Sequence, residues 1–210
     1  MPDISVLAAF TAAAFVLAVM PGPGLFYILG RTLASGGADG YASVLGTALG
    51  GFVHVVAGTL GASAIVMTSA AAFTGLKLVG GLYLVYLGIV TWRAARSGIA
   101  LQATPIAGSR RAFRDGVVVE ATNPKTAAFF LALIPQFIDV GQGSIASQFL
   151  VLGTVAVALN TASALAVVMG AARLRARLLD RPHIVRRIRQ GSGAVLAGLG
   201  VSLLLARRPA

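Results

Sequence analysis

Glu120-Ala121-Thr122-Asn123-Pro124-Lys125 lies inside a largely apolar stretch, 113–137, and Val19-Met20-Pro21-Gly22-Pro23-Gly24 interrupts another, 4–29. Proline has no backbone N–H, and its ring clashes with the carbonyl four residues back, so each motif breaks a helix. Hydrocarbon cannot solvate the freed amides and carbonyls. Such breaks persist at membrane depth only where protein or a water-lined cavity meets them. A matched pair of interrupted helices, one in each half of a chain, points to the substrate site of a secondary transporter.

The rest of the chain fits a membrane setting. It has 210 residues, 57% hydrophobic and 11% charged, with a mean hydropathy of +0.88. A soluble domain carries about 25% charged residues. Several runs are long enough to cross about 30 Å of hydrocarbon. The expected fold is therefore all-α and polytopic, a single transmembrane domain over 1–210. Met1-Pro2-Asp3 lacks a basic leader region, and the apolar run after it leads into Pro21, so it reads as a retained first helix rather than a signal peptide. With no cysteine, disulfides, thiolate metal sites and thiol redox chemistry are excluded.

Six spans are expected, at 4–29, 41–68, 75–91, 113–137, 145–172 and 191–206, with turns at 35–40 and 139–143. The loops after spans one, three and five hold thirteen arginines, from Arg31 to Arg189; the other side holds Lys77, Arg207 and Arg208. The net charge of +11 is thus a positive-inside bias, not a nucleic-acid footprint, because the arginines sit in short loops without aromatic interleaving. It orients both termini to the periplasm. The halves, about 1–96 and 110–208, echo one another: Pro21 with Pro124, Gly46-Thr47 with Gly153-Thr154, and Gly81 and Gly88 with Gly193 and Gly200. Three spans per half make this a 3+3 inverted-topology repeat. Gly46 and Gly50 form a GxxxG pair suited to close helix packing or to a dimer seam.

Ionisable residues inside the spans are few: Glu120, Lys125 and His54. Each costs at least about 2.5–3.5 kcal/mol at the bilayer centre and so invites a functional reading. Glu120 and Asn123, three apart, share a helix face. With Lys125 and the groups freed at Pro124 they could line one polar cavity, offering donors to a carboxylate and an acceptor to an ammonium. The alternative is a self-neutralising Glu120–Lys125 ion pair, or a lysine that snorkels to the interface. Glu120 is the expected proton carrier. Pro21, Gly22, Pro23 and Gly24 let a ligand approach open backbone amides. His54 is either a helix–helix hydrogen-bonding residue or a proton relay. Asp39 and Asp139, in the turns after the broken spans, are turn formers or gate residues.

On these residues the chain resembles the LysE/RhtB family of bacterial amino-acid exporters. Met20 to Gly24, the Ser35-Gly36-Gly37 turn with Gly40, the Gly46-Thr47-Ala48-Leu49-Gly50 run and, most specifically, Glu120 to Asp139 carry the resemblance. It implies a proton-driven antiporter in the inner membrane that exports amino acids or their derivatives, frequently as a homodimer, with no cofactor. In this family the residue after Pro-Gly-Pro is commonly Asn or Ala, and here it is Gly24, which removes a substituent from that position. With one deep carboxylate, a cationic substrate lacks a second counter-charge, which favours small neutral amino acids of the threonine, homoserine or leucine type over basic ones. A metal-ion exporter would want clustered His, Cys or carboxylate ligands, and only His54 and His183 are present. An intramembrane hydrolase would need a facing Ser–His pair or two deep carboxylates, and Ser63 lies nine residues from His54 in the same span.

Overall fold

A computed structural model describes residues 3–68 and 108–174 continuously, with scattered positions between 74 and 93 and between 183 and 205. The described elements are helical, with no strand among them: α1 (Ile4–Val19), α2 (Pro23–Ser35), α3 (Gly37–Thr68), α4 (Gly108–Ala121), α5 (Pro124–Ala128) and α6 (Ile145–Arg173). Among the described residues, three stretches are long and apolar enough to cross a membrane, Gly37–Gly61, Gly108–Phe137 and Ile145–Arg173. Taken together, α1 and α2, bent by 46°, make a fourth. The expected spans 75–91 and 191–206 fall largely outside the described residues.

Both proline breaks form as the local chemistry requires. Met20, Gly22 and Asn123, each preceding a proline, adopt extended ψ angles of 116°, −169° and 111°, because the proline ring excludes the helical region from its predecessor. Pro23 and Pro124 then take the first turn of the new helix, where a missing N–H costs nothing. A third proline acts differently. Pro135 cannot donate to Leu131, and the helix before it widens to a π-turn over Phe129–Leu133, then tightens to a 3-10 turn at Ile134–Phe137.

Two boundaries differ from the sequence expectation. The turn at 35–40 shrinks to Gly36 alone, which takes the left-handed φ of 95° that glycine tolerates. Asp39 accordingly sits in the first turn of α3, not in a loop, where a carboxylate suits the positive helix end. At the other boundary, α4 starts at Gly108 rather than 113, so Arg110, Arg111 and Arg114 lie on a helix and not in the basic loop.

The glycines set the packing. A Cβ at Gly46 would strike the carbonyl of Phe113, and one at Gly50 the carbonyl of Val117. The GxxxG pair thus lets α3 lie directly on the backbone of α4, with the two helices parallel. Against α6, α3 runs antiparallel: Gly58 meets Phe149, Gly51 meets Val157, and Gly40 meets Val168. Two apolar clusters result. One holds Phe10, Val55, Phe129, Phe130 and Phe149; the other holds Leu25, Ile28, Val44, Ala164 and Val168. Outward faces remain apolar, with Phe15, Leu45, Leu49, Phe52 and Val56 exposed, as lipid contact permits. Between the two clusters lies a polar layer.

Candidate functional site

The two breaks meet in that layer. Pro21 leaves the Leu17 carbonyl without its helical partner, and the N–H of Met20 reaches it only at 3.3 Å. The Lys125 ammonium answers this deficit: Nζ donates to Leu17 O at 2.8 Å and to Met20 O at 2.7 Å. A cation thereby caps the negative end of α1. The stem of Lys125 passes over Gly22, where a Cβ would come within 2.7 Å of Cδ.

The second break is answered from the opposite direction. Pro124 frees the Glu120 carbonyl, which accepts the Asn123 N–H at 3.0 Å and His54 Nε2 at 2.9 Å. A carbonyl only accepts, so Nε2 carries the proton. His54 is thus the helix–helix hydrogen-bonding residue of its two readings, with its ring 5.7 Å from that of Phe130.

The Glu120 side chain is 3% exposed, and both of its oxygens are engaged. Asn123 Nδ2 donates to Oε2 at 2.9 Å and Thr126 Oγ1 to Oε1 at 2.6 Å. The Asn123 amide is oriented by its other end, since Oδ1 accepts the Lys125 N–H at 3.1 Å and caps α5. Asn123 therefore stands behind the carboxylate and holds it. Gly24 lies against the same group, for a Cβ there would overlap Oε2. The substituent missing after Pro-Gly-Pro makes room for the Glu120 carboxylate. As the second residue of α2, Gly24 also brings the positive end of that helix beside the anion. Neither sequence alternative for Lys125 occurs: it makes no ion pair with Glu120 among the described residues, and it is turned inward, 7% exposed.

Beside this cluster lies a cavity of about 40 Å³, lined by Glu120, Lys125 and Thr126, by Thr47 and Gly51 of α3, by Asn160 of α6, and by small or aromatic apolar side chains. That volume suits a few waters. Thr126, Thr47 and Asn160 were not among the site residues expected from the sequence. Thr126 is six residues beyond Glu120 and meets it only because the break redirects the chain. Asn160, a lone carboxamide in an apolar run, was a legible signal.

Asp39 and Asp139 do not join the cluster. The buried Asp39 accepts from Ser109 Oγ at 3.0 Å, tying α3 to α4 at the arginine-bearing end. Nearby, Arg31 reaches Asp115 at 2.6 Å, its guanidinium 5.7 Å from the Tyr27 ring, while the Tyr27 hydroxyl donates to Ala112 O. Asp139 belongs to the opposite end. Its Oδ1 accepts the Gly141 N–H, closing a turn, and Gln148, fully buried, pairs with its backbone through both amide ends. Asp3 lies at that end too, bonded to Gln142.

A helical membrane protein with a polar cluster built from two broken helices is the general class these features define. A family model, LysE type translocator, matches residues 15–207, and the chain belongs to that family. The family places it among translocators rather than enzymes. It is 33% identical to an uncharacterized membrane protein of Vibrio cholerae serotype O1 over 205 residues, covering 98% of this chain and 99% of the relative. It is 31% identical to the homoserine/homoserine lactone efflux protein of Salmonella typhimurium over 203 residues, 95% and 96% of the two chains. The leucine efflux protein of Enterobacter sp. (strain 638) is 27% identical over 146 residues, 69% of each chain. No solved structure matches the chain.

Proposed function

We propose that the protein is a secondary active exporter of small neutral amino acids, driven by proton antiport across the bacterial inner membrane. The observation that carries this reading is the meeting of the two proline breaks around Glu120 and Lys125 beside a small cavity. Glu120 takes the substrate ammonium or, in exchange, a proton. Lys125 spends two of its three N–H donors on α1 and has one left for a carboxylate. Pro21, Gly22, Pro23 and Pro124 keep the surrounding backbone open, and Asn123 positions the carboxylate. The names of the Salmonella and Enterobacter relatives support an amino acid as cargo.

The reading includes six spans in a 3+3 inverted repeat. Parallel packing of α3 on α4 supports it, because a chain leaving the end of α3 must return across the membrane before it starts α4. Arg31, Arg110, Arg111, Arg114 and Arg173 gather at one end of the bundle, and Asp3 and Asp139 lie at the other. By the positive-inside rule the first end is cytoplasmic and the N-terminus periplasmic. Admitting an amino acid to so small a cavity requires the walls to part, the motion that alternating access demands.

The test is efflux of each of the twenty amino acids from cells with and without the gene, followed by Glu120→Gln in proteoliposomes. Export of a neutral amino acid that follows an imposed proton gradient, and loses that dependence in Glu120→Gln, is expected. Equal efflux with and without the gene for all twenty removes the exporter reading. Full gradient-driven transport by Glu120→Gln removes the proton assignment.

A further inference from the structure

The register between α3 and α6 puts two polar side chains at one level. Gly58 packs on Phe149, Gly51 on Val157 and Gly40 on Val168, so residue numbers fall on one helix as they rise on the other. Thr47, one turn before Gly51, therefore faces the level of Asn160, nearly one turn after Val157. Both line the cavity that also receives Glu120, Lys125 and Thr126.

The states of these groups differ. Glu120 is engaged at both oxygens, Lys125 at two donors, and the Thr47 hydroxyl donates to Val44 O at 3.0 Å. The Asn160 carboxamide makes no hydrogen bond to any described residue. Its helix neighbours on the same wall, Ala156 and Val157, are aliphatic. A carboxamide offers both donors and an acceptor, which complements a hydroxyl, itself donor and acceptor. It carries no charge to pair with a cationic or anionic side chain.

Resting on the exporter reading, we infer that Asn160, with Thr47 across from it, binds the side-chain hydroxyl of the cargo, so that the preferred substrate is a small hydroxylated amino acid rather than its aliphatic analogue. An aliphatic cargo leaves the half-buried carboxamide unpaired, and a site built around a polar group rejects analogues that lack its partner.

The experiment compares efflux of homoserine with that of 2-aminobutyrate, the same carbon chain without the hydroxyl, from cells expressing wild type or Asn160→Leu. The wild type is expected to favour homoserine about tenfold, and Asn160→Leu to reduce that ratio by about tenfold, the worth of one hydrogen bond. In case Asn160→Leu does not fold, thermal protection of purified wild type is measured with each amino acid, and homoserine alone should protect. An unchanged ratio in Asn160→Leu, or equal protection by the two ligands, overturns the role of Asn160 and leaves the exporter intact. A wild type that exports neither compound, while exporting no other amino acid, overturns both.

Discussion

Replacing Lys125 by methionine keeps a long apolar stem and deletes the ammonium that joins the two breaks. Two charge-assisted hydrogen bonds disappear, at 2.8 and 2.7 Å. Each such bond contributes about 1.5–3 kcal/mol. Against this, the variant no longer buries a cation, a relief that offsets part of the loss. The net cost is about 2–4 kcal/mol. A chain of this size loses about 2–4 °C per kcal/mol, so the melting temperature of the detergent-purified variant should drop by roughly 4–16 °C. A double-mutant cycle makes the test specific. Pro21→Ala restores an N–H within helical reach of the Leu17 carbonyl, so Lys125→Met should cost at least about 1 kcal/mol less in that background. Equal cost in both backgrounds, or a wild-type melting temperature for Lys125→Met, would refute the view that this lysine serves the broken end of α1.

Gly24→Ala should separate function from stability. The new methyl overlaps Oε2 at the end of the Glu120 side chain and otherwise makes ordinary contact, with Asn123 Nδ2 at 3.6 Å, so the melting temperature should shift by no more than a few degrees while efflux falls at least tenfold as the carboxylate is displaced. The Arg31–Asp115 pair is buried on one side and 40% exposed on the other. Solvent screening lowers its worth to about 1–2 kcal/mol. Arg31→Asp and Asp115→Arg should each destabilise by at least that much, and the double exchange should recover half or more of the loss in thermal unfolding.

The breaks were legible because proline acts on its immediate neighbours. The absent N–H, the bias on the preceding residue and the preference for the first helical turn need no tertiary information. Glu120 and Asn123 do meet, at 2.9 Å, but not as two residues on one helix face, because α4 ends at Ala121 and Asn123 is the extended cap of α5; the Gly46–Gly50 pair announced a close helix partner without saying which. What escaped depends on contacts remote in sequence. Lys125 reaches carbonyls 105 and 108 residues away, and His54 reaches one 66 residues away. Local reading could only weigh a neighbouring ion pair against a helix contact or a relay. The Ser35 to Gly40 segment misled because Gly and Asp mark turns by composition, yet here Gly36 alone makes the reversal, and Asp39 is stabilised at a helix start.

Each interruption is completed by a side chain from the other half of the chain. Lys125, made late, supplies the group that Leu17 lacks, and His54, made early, supplies the one that Glu120 lacks. During synthesis the first kink therefore waits, unpartnered, until more than a hundred further residues have left the ribosome. Neither half carries what it needs to settle alone in lipid. Separately produced fragments would have to find each other to become stable, which ties insertion of the molecule to its assembly as one unit.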